Sequence, residues 1–391
     1  MSTSQPVAQH LLNRSLAVLA LTAGVSISNI YYNQPLLTEI GESFPDDASW
    51  VGAVAASTQL GFAVGMVLIS PLGDKMDRRR LILYQAAGIC VALLSVALAP
   101  TLTMLAVASF VLGLFATMAQ QAGPFAAELT PPAERGRAIG LVMSGLLLGI
   151  LLARTFSGFI GSHFGWRAVF AMAIAPILLM AVMVWRILPS SQPTATLSYR
   201  RLISSPWRLA VELPDLREAA LTGAALFAAF SLFWTTLVLL LNEPPLSLGA
   251  QEAGLFALLG VVGILAAPWA GRMTDRHGPR PVIWLAITLM ATSFVILLLG
   301  AASIAGLVAG VIVLDASLQI MQTANQSRVF ALRPEAKSRL NTAYMVCYFF
   351  GGALGSGAGY LAWQWLRWPA VCMVGLVFVL VAAISHGRSS A

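Results

Sequence analysis

Charge is scarce in this chain. Of its 391 residues, 10% are Asp, Glu, Lys or Arg, against about a quarter in an ordinary soluble domain. Cysteine is scarce too. Cys90, Cys347 and Cys372 all sit inside apolar runs, which excludes a disulfide scaffold and makes them core thiols. The four histidines fall at loops and termini, so no metal-ligand cluster forms in the sequence and no proton relay of histidines is drawn. There is no phosphate-binding glycine loop and no nucleophile elbow, so no nucleotide, cofactor or hydrolytic chemistry is expected. What fills the chain is apolar: 58% hydrophobic residues and a mean hydropathy of +0.81. The runs are continuous and near twenty residues, not alternating segments of ten. That length fits membrane-spanning helices and excludes a barrel.

The few charges are placed unevenly. Residues 70–80 read Ser-Pro-Leu-Gly-Asp-Lys-Met-Asp-Arg-Arg-Arg between two apolar runs. About two hundred residues later, 271–280 read Gly-Arg-Met-Thr-Asp-Arg-His-Gly-Pro-Arg. Asp74 corresponds to Asp275 and Lys75 to Arg276. Further echoes have the same offset: Leu-Thr-Pro-Pro-Ala-Glu from Leu129 with Leu-Arg-Pro-Glu-Ala-Lys from Leu332, and Trp-Arg-Ala-Val from Trp166 with Trp-Pro-Ala-Val from Trp368. The chain is therefore two related halves.

Twelve spans are expected, near 16–35, 50–70, 81–99, 102–123, 138–160 and 167–188, then 219–241, 253–270, 282–300, 304–323, 342–361 and 369–385. The fold class is an all-α membrane protein of two six-helix, pseudo-symmetric halves. Its domains are a first half at 1–188, a cytoplasmic linker at 189–218 and a second half at 219–391. The first run has a counterpart at 219–241, so it is read as a span and not as a leader. With this topology nearly every cation falls on one side, and only Arg167 and Arg367 on the other. The positive-inside rule then puts both termini in the cytoplasm. The net charge of +7 follows from this bias, so no nucleic-acid partner is expected. The linker carries an expected amphipathic helix at 201–213.

The loop pattern Gly-x-x-x-Asp-Arg-x-Gly-x-Arg resembles the signature of the major facilitator superfamily. Gly271, Asp275, Arg276, Gly278 and Arg280 match it. The first copy departs at Ser70 and Asp77, where the pattern has Gly. The resemblance implies transport by alternating access, with substrate held at the interface of the halves near the midplane. It also implies that Asp74 and Asp275, with Arg78 and Arg276, act as gating residues, bracing one half against the other on the inner side. The phrase Tyr-Tyr-Asn-Gln-Pro-Leu-Leu from Tyr31 resembles a bacterial efflux branch. Phe110 stands where drug:proton antiporters of this superfamily carry an arginine, and the fifth span lacks their Gly-Pro motif.

Asp315 lies near the middle of the tenth span. An acid there is costly unless it is neutral, paired or facing water. Asp315, Gln319, Gln322 and Gln326 share one helix face, a polar stripe about 16 Å long that suits a wet cavity. Asp315 is the expected proton-coupling residue; a structural acid paired with an arginine is the alternative. Arg154, in the fifth span, has three readings: an anchor for an anionic substrate, the partner of Asp315, or an outer gate. Tyr31, Tyr32, Asn33 and Gln34 at the end of the first span clasp a small organic molecule, or else form an interfacial anchor. Gln120, Gln121 and Trp234 are further cavity candidates.

The expected function is export of a small organic compound in exchange for protons, by a monomer in a bacterial inner membrane. Its partners are the substrate, protons and the lipid bilayer. Proton-coupled uptake is the main alternative, and a non-transporting sensor the second.

Overall fold

The computed structural model describes residues 4–193, 198–333 and 336–388. Residues 194–197 of the linker and Pro334 and Glu335 of the Leu332 echo lie outside the described residues. Among the described residues the chain is helical throughout. Lipid offers no hydrogen bonds to a backbone, and a helix satisfies its own.

Twelve spans can be followed. The first half holds α1 (Ser4–Ser28), α2 (Gly52–Leu68), α3 (Arg78–Ala97), α4 (Leu102–Leu129), α5 (Arg135–Phe164) and α6 (Trp166–Ile187). The second holds α7 (Pro214–Asn242), α8 (Ala250–His277), α9 (Pro279–Leu299) and α10 (Ile304–Leu332). The last helical stretch, Lys337–Arg388, breaks at Leu366 and Arg367, whose φ values are −134° and +56°. It is two spans, α11 over 337–365 and α12 over 368–388. An amphipathic helix, Tyr199–Glu212, joins the halves and buries Pro206 and Leu209. With twelve spans, the start of α1, the end of α12, this linker and the two charged loops share one face, called here the terminal face.

The two charged loops turn by different means. Between α8 and α9, Gly278 takes φ +80°, a conformation that favours glycine. Asp77 stands at the matching place before α3, with φ −56°. Its carboxylate accepts from the backbone N–H of Arg79 at 2.9 Å and of Ser191 at 3.0 Å. The departure from the signature is thus an N-cap that also ties down the start of the linker.

The halves are packed through small residues. On α5, Gly145 and Gly149 lie against α1. A Cβ on Gly149 would stand 2.6 Å from the Gly24 Cα, and Ser28 Oγ donates to the Gly149 carbonyl at 2.9 Å. Gly61 and Gly65 on α2 and Gly351 and Gly355 on α11 approach helices of their own half in the same way. These stripes serve packing within a half, not sliding between halves.

The first span is shorter than the sequence suggests. The helix ends at Ser28, and residues 29–36 form tight turns leading into a short 3-10 helix, Gln34–Leu36. Ser28 Oγ takes the Gly24 carbonyl at 2.8 Å, Asn29 Nδ2 takes that of Val25 at 2.8 Å, and Pro35 has no N–H. Asn29 Nδ2 takes the place of its own backbone N–H, which turns to the Ser26 carbonyl, and the single Ser28 hydroxyl proton is shared between Gly24 and Gly149.

Candidate functional site: a cavity beneath an interhalf seal

The halves meet on the side away from the terminal face. Gln59 on α2 donates to Ser356 Oγ on α11 at 3.0 Å and accepts from Ser231 on α7 at 3.3 Å. Phe62 packs on Phe349 with ring centroids 4.3 Å apart. Farther out, Gln364 donates to the Ser49 carbonyl and Tyr360 to that of Ala48. On the opposite flank, Thr155 of α5 donates to the Gly254 carbonyl of α8 at 3.0 Å. The hydrogen bonds all use the half of each helix remote from the terminal face, and the Phe62–Phe349 pair lies near mid-helix. Together they form a seal. Among the described residues, the hydrogen bonds and ring contacts that join the two halves belong to it, and none joins them nearer the terminal face.

Arg154 sits within the seal and is only 3% exposed. Its guanidinium carbon lies 4.5 Å from the Tyr31 ring centroid and 4.3 Å from that of Trp234. The first ring belongs to one half and the second to the other. A desolvated cation between two aromatic faces gains about 2 kcal/mol or more. Arg154 Nε donates to Gln34 Oε1 at 2.7 Å, which explains the amide at that position. Among the described residues its Nη2 has no partner, and neither has the buried indole nitrogen of Trp234.

Asp315 lies on α10 just below. A Cβ on Gly260 of α8 would be 3.7 Å from Asp315 Oδ1 and 3.5 Å from Leu151, one helical turn before Arg154. α8 is locally a 3-10 helix at this point, Ala257–Gly260. The acid and the arginine are thus close, yet no oxygen–nitrogen approach within 4.0 Å joins them, and Asp315 Oδ2 has no partner among the described residues. Direct pairing, one of the three sequence readings for Arg154, is not what the structure contains. Asp315, Gln319, Gln322 and Gln326 are all half-buried, neither in the core nor on the open surface.

The other expected site residues scatter. Asn33 donates to Thr58 Oγ1 at 2.8 Å and is part of the packing against α2. Tyr32 faces the other way, into an apolar crevice of about 550 Å³ between α1, α5 and α6. Gln120 is half-buried. Gln121 is not on the cavity: it accepts from Arg78 at 3.1 Å and donates to the Ser70 carbonyl at 3.1 Å. Arg78 also meets Asp74 at 2.7 Å and Glu128 at 3.6 Å, so this brace lies wholly inside the first half. Asp275 and Arg276 are exposed on the terminal face, and among the described residues no ion pair joins them to the first half.

Other residues complete the site. Tyr344 donates to Gln322 at 3.3 Å, and Tyr348 stacks on Phe227 with centroids 3.9 Å apart. Phe230 adds a third ring near Arg154, at 5.8 Å. Gln59 was open to sequence reasoning, as a lone amide in an apolar run. The tyrosines and phenylalanines of α7 and α11 were not, because aromatic residues there look the same whether they face core, lipid or cavity.

A bundle of two six-helix halves, joined on one side and carrying a polar stripe in mid-span, is the architecture of a membrane transporter. The chain belongs to the major facilitator superfamily, whose family model matches residues 16–356. It is 37% identical over 373 residues, covering 95% of both chains, to the uncharacterized transporter YgaY of Escherichia coli O157:H7. It is 26% identical to the multidrug efflux pump LfrA of Mycolicibacterium smegmatis, covering 88% of this chain and 79% of that one. Among solved structures, a D-xylose–proton symporter superposes with a TM-score of 0.77 at 15% identity, covering 94% and 96% of the two chains. An inward-facing, occupied bacterial homologue of the lysosomal transporter Spinster gives 0.75 at 16% identity, covering 96% of each. At such identities these structures speak for the fold alone. The chain is a multi-pass membrane transport protein.

Proposed function

We propose that this protein is a proton-coupled secondary transporter of a small organic compound, working by alternating access, with Asp315 as the residue that carries the proton. One observation supports this above the rest. A buried carboxylate oxygen, without a partner among the described residues, lies at the centre of the bundle, on a half-buried polar stripe beside the seal that must open and close. A structural acid would be paired, because a buried unpaired charge is strongly destabilising. We assign the terminal face to the cytoplasm, from the positive-inside bias, which makes the described conformation inward-open. The membrane is then a bacterial inner membrane, and the working unit a monomer. Asp74 and Asp275, with their neighbours Arg78 and Arg276, become bracing groups only when the terminal face closes.

Export in exchange for protons is the direction that the sequence suggests, and the name of LfrA is consistent with it. Co-transport into the cell is the second reading, and the unpaired Arg154 favours it. The test is proton flux in proteoliposomes during transport of a panel of drugs, sugars and carboxylates, for the wild type and Asp315→Asn. Substrate-driven proton movement lost in the variant is expected. Unchanged proton flux in the variant would make Asp315 structural. The direction of proton movement relative to substrate separates exchange from co-transport.

A further inference from the structure

Arg154 is a cation held inside the membrane, with Asp315 nearby but, among the described residues, no oxygen–nitrogen approach within 4.0 Å to join them. It is enclosed by Tyr31 and Trp234, and among the described residues it has one side-chain hydrogen bond, to Gln34, and leaves Nη2 unpartnered. Beside it the Trp234 indole N–H is also unpartnered and equally buried, at 3% exposure. Two donors with no acceptor, one of them charged, describe half of an anion site. We propose that the cargo carries a single anionic group, a carboxylate on an apolar or aromatic body, that takes the Arg154 guanidinium and the Trp234 N–H, and that it travels together with the proton on Asp315. The second clause rests on the proton-carrying role of Asp315; the first does not.

The sign of the coupling follows from the charges present. The groups around Asp315 are Arg154 from α5 and the neutral glutamines of its own stripe, while the aromatic layer nearby holds the phenols of Tyr31, Tyr344 and Tyr348. With the cavity empty, ionised Asp315 balances Arg154. When an anion arrives, two negative charges share one positive charge. Protonation of Asp315 restores neutrality, so anion and proton strengthen each other's binding. A cationic cargo would compete with the proton instead, and would meet a like charge in a medium of low dielectric. Ligands that bind together cross together, and an inward proton gradient then drives uptake.

The clamp fits this cycle. Tyr31 and Trp234 come from opposite halves, so opening the seal parts the rings and bares the guanidinium on the outer side. In the inward-open form both rings cover it, as they should once cargo has left.

The experiment uses the full-length protein, purified in detergent. Its probes are benzoate, phenylacetate and hexanoate as monocarboxylates, with benzamide as a neutral isostere and ethidium as a cation. Thermal stabilisation reports binding, and a pH-sensitive dye in weak buffer near neutral pH reports proton uptake. At least one carboxylate should stabilise the wild type and draw up a proton. Arg154→Gln should weaken that binding about tenfold or more, and Trp234→Phe by a smaller factor. Arg154→Lys keeps the charge and should bind between the two, which separates lost recognition from lost folding. Asp315→Asn should still bind the carboxylate but take up no proton. Binding of no carboxylate, or binding unaffected by Arg154→Gln, overturns the anion site and leaves the role of Asp315 untouched. Carboxylate binding at Arg154 without proton uptake in the wild type overturns joint passage, and counts against Asp315 as proton carrier as well.

Discussion

Single side chains carry unequal weight here, and burial decides how much. At the terminal end of the second half, Arg328 meets both Glu218 oxygens, at 2.7 and 2.6 Å, and Asp215 at 2.7 Å. His386 lies 2.8 Å from Glu218. The Arg328 and Glu218 side chains are 9% and 6% exposed, while that of Asp215 is 52% exposed. Removing one partner of a buried pair strands the other. Arg328→Met should therefore cost about 3–5 kcal/mol, whereas Asp215→Asn should cost about 1 kcal/mol or less. Chemical denaturation in detergent checks both, and equal losses would refute the distinction. Much at this scale was legible in the sequence. Asp315 stood out because an acid in mid-span is costly. Arg154 stood out for the same reason, but its partners did not: the rings that hold it come from residues 123 and 80 positions away, and no local pattern joins them. Gln121 misled because an amide near the inner end of a span reads the same on either side of a helix.

Between helices, backbone proximity sets the tolerance for change. The α1–α5 contact runs through Gly24, Gly145 and Gly149, where an added Cβ meets backbone, which cannot swing aside. Gly145→Val should destabilise by about 1–3 kcal/mol or prevent folding. Gly357 on α11 has nothing within 4 Å of an added Cβ. Gly357→Ala should lose nothing, since alanine is the better helix former. Expression level and melting temperature of the two variants test this, and a Gly145→Val protein as stable as wild type would show that the helices can separate at no cost. The spacing of these glycines was visible in the sequence. Which helix they met was not, because spacings of four mark a face without naming its neighbour. The end of α1 was misjudged as well. The polar run after Ser28 was read as the end of the span, yet the backbone there already forms i→i−3 turns and Pro35 cannot donate.

For the whole molecule, span count, repeat and charged loops gave the architecture before any coordinates, since lipid permits few alternatives. The conformation was not legible, because one sequence must encode both an inward-open and an outward-open form. The seal predicts how to trap the form described here. Ser49→Cys with Gln364→Cys, in a background lacking Cys90, Cys347 and Cys372, places thiols on both sides of a contact between the halves. A short thiol cross-linker should stop transport, and the doubly substituted protein should work before linkage. Transport that continues after complete linkage would mean that the halves need not separate there.

The seal is made of amides, hydroxyls, backbone carbonyls, stacked rings and one cation enclosed by aromatic faces. Among the described residues no ion pair crosses it. Dissolved salt weakens exposed charge pairs over about a Debye length, roughly 8 Å at physiological strength, and has little purchase on contacts of this kind. The side assigned to the surroundings, where ionic strength is beyond the cell's control, is thus closed by interactions that brine and fresh water leave nearly alike.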